Sequence, residues 1–122
     1  MRPETRLYQL VKRSFSEIVW TRIENTSVAG VPDLLGYNKN QFFFTVELKV
    51  VRGNSVRLSP HQIAFHIRHP KNSFILAKHL ASSRLKLYEG SQVNQLVACG
   101  LKLDACSLGL EACRLKLNSL GA

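Results

Sequence analysis

Three side chains in this sequence have the types and spacing that metal-assisted chemistry requires: Asp33, Glu47 and Lys49. The segment QFFFTVELKV (41–50) is the strongest strand signal in the chain, and side chains alternate between the two faces of a strand. One face therefore carries Phe44, Val46, Leu48 and Val50. The opposite face carries Thr45, Glu47 and Lys49. Taken alone, this carboxylate and ammonium are also consistent with an ion pair on a half-exposed sheet, which contributes little.

Asp33 makes a catalytic interpretation stronger. It lies near the start of a second strand predicted over PDLLGY (32–37), and the turn residues NKN (38–40) predict a hairpin with 41–50. Such a hairpin brings the carboxylates of Asp33 and Glu47 together, which is electrostatically costly unless a cation such as Mg²⁺ binds them. Lys49 beside them can orient a water or offset phosphate charge, and these groups suit metal-assisted phosphodiester hydrolysis. The alternative role for Asp33 is a turn-capping residue after Pro32.

The elements that position these residues follow from periodicity and from turn and capping signals. Apolar residues at helical spacing predict an amphipathic helix over 4–15, and EIVWTRI (17–23) predicts a strand that is followed by a loop over 25–30. Ser59, Pro60 and Gln62 form the N-terminal signature of a second helix, which Pro70 ends. SFILA (73–77) predicts a buried strand and LKLYEG (85–90) an edge strand. The order of helix, three strands, helix and two strands predicts an α/β domain with a mixed sheet flanked by helices.

The C-terminal segment contains a seven-residue repeat. Leu96, Leu103 and Leu110 each begin a unit with a cysteine three residues later. A heptad repeat predicts a helix with Leu and Cys on one seam, although Gly100 and Gly109 weaken it. We therefore divide the chain into a core over 1–90 and an extension over 91–122 that packs on the core or joins two subunits.

The charge distribution favours nucleic acid as the partner. The net charge is +9, and the stretch between Glu47 and Glu89 has no carboxylate. That stretch carries all four histidines and eight cations: Lys49, Arg52, Arg57, Arg68, Lys71, Lys78, Arg84 and Lys86. Neutralising phosphates releases counterions and makes binding favourable. A solvated basic face is the alternative, and a membrane surface is disfavoured because there is no basic amphipathic helix with exposed large apolar residues.

Composition limits the remaining possibilities. At 122 residues the chain has room for one modest core. The sequence has neither an apolar run long enough to span a bilayer nor a secretory N-terminus, so we expect a cytoplasmic protein. In that compartment the three cysteines (Cys99, Cys106 and Cys113) are expected to be reduced and buried, and their spacing does not suit zinc.

The motifs resemble a known nuclease family. PD (32–33) followed by ELK (47–49) is similar to the PD-(D/E)xK nuclease superfamily. The longer run of GVPDLLGY, TVELKV and VRLSPHQIAFHIRH resembles the virus-type replication-repair nuclease (VRR-Nuc) domain, over about residues 4–90. The resemblance implies a restriction-endonuclease-like core. It also implies a metal-dependent endonuclease that acts on DNA, with branched replication, recombination and repair intermediates of viruses or phages as expected substrates.

The resemblance also implies further site residues. It requires an acid on the first helix and a glutamine on the second, so Glu4 becomes a third metal ligand and Gln62 a catalytic residue. Glu17 is the competitor of Glu4, and Gln62 is equally explained by its helix cap with Ser59. Mg²⁺ is the expected ion, with Mn²⁺ as a possible substitute, and a homodimer is plausible because symmetric cutting of a four-way junction needs two active sites.

Contacts to DNA are expected from the basic segment. The candidates for phosphate contacts, which position DNA without reading its sequence, are Arg52, Arg57, Arg68, Lys71 and His61. His61, His66 and His69 are otherwise expected to be polar surface residues. Two other function classes remain open at this point. One is a basic DNA-binding module without catalysis, and the other is a structural or interaction protein built on the heptad tail.

Overall fold

A computed structural model describes residues 2–23 and 29–122, so most of the loop predicted over 25–30 lies outside the described residues. Within these residues the chain forms four α-helices and six strands. In chain order they are α1 (Pro3–Ser14), β1 (Val19–Arg22), β2 (Leu34–Tyr37), β3 (Phe43–Val51), α2 (Pro60–Arg68), β4 (Ser73–His79), β5 (Leu85–Glu89), α3 (Val93–Cys99), β6 (Ser107–Leu108) and α4 (Leu110–Ser119).

The strands form one mixed sheet in the order β1-β2-β3-β4-β5-β6. The β3–β4 pair is parallel and every other neighbouring pair is antiparallel. A parallel pair needs a crossover connection, and α2 supplies it. The prediction of a mixed α/β sheet with flanking helices is confirmed. The prediction that β5 is an edge strand is wrong, because Leu87 and Lys86 of β5 pair with Ser107 and Leu108 of β6.

The sheet is covered on both faces, which explains the alternation in β3. Phe44, Val46 and Leu48 are buried in a core that α1 and α4 close from one side. On the other side, Val51 packs in a second core, to which α2 and α3 contribute. The side chains of Thr45, Glu47 and Lys49 therefore project toward the α2 side, as the alternation predicts.

Local signals set the ends of the helices. α1 begins at Pro3, where the missing N–H costs nothing. At α2 the predicted capping box is present: the Gln62 backbone N–H donates to Ser59 Oγ (3.2 Å) and the Ser59 N–H donates to Gln62 Oε1 (2.9 Å). No helix in the described part of the chain is long and apolar enough to cross a membrane.

The repeat does not form the single heptad helix that its pattern predicts. Positive φ angles at Gly100 (67°) and Gly109 (92°) interrupt the helical path. The segment instead forms α3, a 3₁₀ turn, the short strand β6 and α4. The cysteines also differ from expectation, because Cys113 is buried whereas Cys99 and Cys106 are exposed, and all three are free thiols.

Candidate active site

Asp33 and Glu47 face each other across the β2–β3 hairpin. Leu34 pairs with Val46, so Asp33, directly before β2, lies opposite Glu47. One carboxylate oxygen of Asp33, Oδ2, accepts a hydrogen bond from the Leu48 backbone N–H at 2.8 Å. This bond fixes the Asp33 side chain against β3. The hairpin thus brings the two predicted carboxylates together.

Glu47 is held in an environment that is unusual for a carboxylate. Its residue surface is only 3% exposed. Burial, and after it the neighbouring carboxylate of Asp33, raises the pKa of Glu47 to about 9, against the opposing effect of Lys49. Its Oε1 atom is buried and has no hydrogen-bond partner among the described residues. A buried acceptor without a partner, next to a second carboxylate, is the chemistry of a cation site.

Gln62 connects Glu47 with Lys49. Its Nε2 donates to Glu47 Oε2 at 3.3 Å, and its Oε1 accepts from Lys49 Nζ at 3.4 Å. The same Oε1 caps α2 through Ser59. The start of α2 is therefore attached to both Glu47 and Lys49, and Gln62 makes these contacts while it caps the helix.

Glu4 lies at the rim of the site. It lines a cleft of about 210 Å³ with Asp33 and a neighbouring cleft of about 460 Å³ with Lys49. Its competitor Glu17 forms an ion pair with Arg114 of α4. Within residues 2–23 and 29–122, however, no three His, Cys, Asp or Glu side chains gather closely enough to hold a metal ion. Glu4 therefore does not complete a three-carboxylate group with Asp33 and Glu47.

The donor set still fits a hard divalent cation. Asp33 and Glu47 offer oxygen atoms only, and Mg²⁺ is typically bound by one or two carboxylates with water and substrate phosphate as its other ligands. The same oxygen ligands suit Mn²⁺. Two converging carboxylates are thus sufficient for such an ion.

The predicted DNA-contacting residues fall into separate groups. Arg52 and Arg57 are exposed and line the same cleft as Lys49. His61 is exposed in the first turn of α2, beside Gln62, whereas Arg68 is exposed in its last turn. Lys71 precedes β4 and forms an ion pair with Glu89 at 3.5 Å. Since Thr45 at the start of β3 pairs with Ser73, Lys71 lies at the sheet edge opposite the one that carries Arg52.

The sequence predicts that His61, His66 and His69 are surface residues. For His66 this prediction is wrong. Its side chain is fully buried, and Nδ1 is 2.7 Å from Ser73 Oγ. Burial, then His69 and Lys49, lowers the pKa of His66 to about 4. His69 stacks on Phe65 and bonds to the Phe65 carbonyl through Nδ1 (2.8 Å). His66 is thus a neutral, buried residue that ties α2 to β4.

Sequence reasoning missed a second basic cleft. It has a volume of about 480 Å³ and is lined by Gly53, Asn54, His79, Ser82, Arg84, Lys86 and Leu101. Six of these residues, among them His79, Arg84 and Lys86, belong to the carboxylate-free stretch, which was the available signal. What the sequence could not show is that the tail forms one wall of the cleft.

The comparisons with known proteins bear on this fold. No protein-family model and no curated protein matches the chain. A solved structure described as a VRR_NUC domain matches with a TM-score of 0.51, covering 78% of this chain and 94% of that chain at 22% identity. The chain has the fold of a VRR-Nuc domain. The restriction-endonuclease-like core expected from the motifs is therefore confirmed at the level of the fold.

Proposed function

We propose that this protein is a divalent-metal-dependent endonuclease that hydrolyses phosphodiester bonds in DNA. One observation carries the proposal: Asp33 lies opposite Glu47 across the β2–β3 hairpin, and Gln62 bonds to both Glu47 and Lys49. Lys49 in turn lines a cleft with Arg52 and Arg57. The likeness to a VRR_NUC domain supports it at the level of the fold. Burying one carboxylate next to another is electrostatically costly unless a cation binds them, so DNA binding alone does not explain this arrangement.

Each residue has a role in this proposal. Asp33 and Glu47 would hold Mg²⁺, or Mn²⁺ in its place, and Glu4 would add negative charge at the rim of the cleft that Asp33 lines. When bound, such an ion would lower the pKa of a water and stabilise negative charge on the phosphate. Lys49 orients that water or neutralises a phosphate oxygen, and Gln62 holds Lys49 and Glu47 in fixed relation. Arg52 and Arg57 hold the DNA backbone in the cleft.

The direct test is nicking of supercoiled plasmid with Mg²⁺ or with EDTA. We expect nicking only with the metal. Asp33→Asn and Lys49→Ala should keep DNA binding and lose roughly a hundredfold or more in rate, the usual cost of removing a group that stabilises developing charge. Matched controls are Asp104→Asn and Lys39→Ala, which make the same chemical changes at exposed positions outside the site. Both controls should nick at the wild-type rate.

The opposite outcome is equally clear. If the protein binds DNA but shows no metal-dependent nicking with either ion, the chain is a non-catalytic binding module. If the protein has no salt-sensitive affinity for DNA, the nuclease proposal fails and a structural or interaction protein is favoured.

We extend the proposal to branched DNA as the preferred substrate. The cationic residues at the site are suited to phosphates rather than base edges, so shape is the expected cue. A panel of four-way junction, flap and linear duplex of one sequence tests this preference, and equal rates on all three would refute it. The homodimer proposed for symmetric junction cutting predicts a mass of twice 13.8 kDa by light scattering.

A further inference from the structure

We propose that the cleft between the β3–α2 loop and the C-terminal segment is a second phosphate-binding subsite, which holds the DNA strand beyond the site of cleavage. This inference rests on the proposed nuclease function and adds a site outside the Asp33–Glu47 centre. The cleft is referred to below as the distal cleft. Its lining residues are those given above, and none is a carboxylate.

The topology explains why cations collect there. β3 and β4 are parallel, so Val51 and His79 end at the same edge of the sheet. β5 is antiparallel to β4 and begins at that edge, with Leu85 opposite Lys78. The turn between β4 and β5 thus places His79 and Arg84 next to the loop that follows β3. Residues that are distant in sequence form one positively charged edge.

The distal cleft borders the cleft that Lys49 lines. The cleft that contains Lys49, Arg52 and Arg57 is also lined by Gly53 and Asn54. These two residues line the distal cleft as well. A strand of DNA leaving Lys49 along this edge therefore meets Arg52 first and Arg84 next. Along this edge β5 lies two strands from β3, about 10 Å at the usual spacing between strands, which corresponds to roughly three phosphates at the axial spacing of one DNA strand.

Two donors in the distal cleft, Lys86 and His79, are held by hydrogen bonds within the protein. Lys86 Nζ donates to the Leu101 carbonyl at 2.6 Å, which leaves its other N–H bonds free to donate. In the turn after β4, the Ser82 backbone N–H donates to His79 Nδ1 at 3.3 Å, so the ring proton of neutral His79 resides on Nε2. The Leu80 N–H donates to the Val51 carbonyl at 2.9 Å and fastens this turn to β3.

The C-terminal segment builds the remaining wall. The Leu101 N–H donates to the Asn54 carbonyl at 2.9 Å, and Asn54 Nδ2 donates to the Cys99 carbonyl at 3.0 Å. Gly100 makes this approach possible, because a Cβ there would lie 2.2 Å from the Asn54 carbonyl oxygen. The repeat thus acquires a function in this proposal: it fixes the loop that both clefts share.

The test measures DNA binding in EDTA, so that cleavage does not enter. Wild type, Arg84→Gln, Arg84→Lys and Arg13→Gln are compared by fluorescence anisotropy on a labelled four-way junction and a linear duplex between 50 and 200 mM salt. Arg84 and Arg13 are both exposed, and Arg13 lies on α1 away from either cleft. Losing one phosphate contact reduces the slope of log Kd against log salt by about 0.9. Raising the salt fourfold lowers the DNA affinity of both proteins. The loss of affinity should be about three- to fourfold smaller for Arg84→Gln than for wild type.

We expect Arg84→Gln to bind more weakly than wild type at 50 mM salt, Arg84→Lys to restore the wild-type slope, and Arg13→Gln to match wild type. Equal affinities and slopes for Arg84→Gln and Arg13→Gln would overturn the subsite, whether or not the protein nicks DNA. Absence of nicking with Mg²⁺ would refute the nuclease but leave a positive binding result standing.

The same phosphate chemistry could serve a free anion. Amide shifts of Asn54 and Ser82 are therefore titrated with inorganic phosphate at constant ionic strength. Saturation by inorganic phosphate, together with a wild-type DNA affinity of Arg84→Gln, would assign the distal cleft to a small anion and overturn the DNA subsite.

Discussion

Gln62 caps α2 and also bonds to Glu47 and Lys49, and mutation can separate the cap from a role in catalysis. Gln62→Ala and Ser59→Ala both destroy the capping box of α2. Each should lower the free energy of unfolding by about 1 kcal/mol. Only Gln62→Ala also removes the bonds to Glu47 and Lys49, so only this variant should lose nicking activity. Urea unfolding and plasmid nicking of the two variants provide the comparison. Equal nicking by both would show that Gln62 acts solely as a helix cap.

His66 predicts how stability depends on pH. Ser73 Oγ donates to the His69 carbonyl (2.8 Å), so His66 Nδ1 must donate to Ser73 Oγ. The lone pair on Nε2 is buried without a partner in the described part of the chain, and a proton there would have no acceptor. The folded state therefore keeps the imidazole neutral, and the pKa falls from 6.5 to about 4.

The sign of the effect follows from proton linkage. Below pH 6.5 the unfolded chain takes up a proton on His66 and the folded protein does not, so the unfolded state is favoured. The contribution of neutral His66 to the free energy of unfolding is complete above pH 6.5. It is lost as the pH falls to about 4, and the total loss is about 3 kcal/mol. Urea unfolding at several pH values should show this loss in wild type and in the control His79→Gln. His66→Phe should have lower stability at neutral pH and a flatter profile, and an unchanged profile would disprove the assignment.

At the residue scale, the position of a side chain could be predicted from the sequence where a local pattern determines it. Strand alternation and a short turn place Asp33 opposite Glu47, and both can be read from spacing. The position of Glu4 depends on how α1 packs on the sheet, and that of Glu17 on Arg114, which is 97 residues away. The burial of His66 depends likewise on a bond to the next strand. Long-range packing of this kind leaves no local signature.

At the element scale, capping and turn residues were reliable and the repeat was not. The hairpin and the α2 cap are specified by neighbouring residues, so their ends were predicted closely. The heptad pattern predicted one helix because it records periodicity alone. Its glycines adopt positive φ, and the segment between them pairs with β5 as β6. Pairing with a distant strand thus overrides helical periodicity in this segment.

Three glycines allow a graded test of how closely the tail is joined to the β3–α2 loop. Gly100→Ala places a Cβ on a residue with a positive φ, and this Cβ clashes with the Asn54 backbone. Gly109→Ala also has a positive φ, but its Cβ points into open space. Gly53→Ala has neither a positive φ nor a clash. A positive φ costs about 1–2 kcal/mol for a residue with a side chain. The free energy of unfolding should therefore fall most for Gly100→Ala, less for Gly109→Ala and least for Gly53→Ala. A loss for Gly100→Ala no larger than that for Gly109→Ala would mean that the loop and tail separate easily.

At the scale of the whole molecule, the tail is joined to the β2–β3 hairpin as well. Asn38, in the turn between β2 and β3, is buried and its Nδ2 donates to the carbonyls of Leu117 and Leu120 at 2.9 Å each. Asn38 Oδ1 accepts from the N–H groups of Asn40 and Phe42 and shapes the turn itself. One side chain thus bonds to the end of α4 and shapes the turn of the hairpin that brings Asp33 and Glu47 together. Stability and activity should consequently depend on the same C-terminal residues.

Leu117 and Leu115 of α4 test whether residues 91–122 belong to the folding unit. Leu117 is fully buried in the core that contains Leu7 and Phe44, whereas Leu115 is 55% exposed. Leu117→Ala should cost about 2–5 kcal/mol, the usual effect of deleting a buried leucine side chain, and Leu115→Ala should cost little. Because the core is shared, a chain ending at residue 90 should lack the cooperative unfolding transition of the full protein in circular dichroism. A truncated chain that unfolds cooperatively and still nicks DNA would show that the extension is a separate addition to an independent nuclease core.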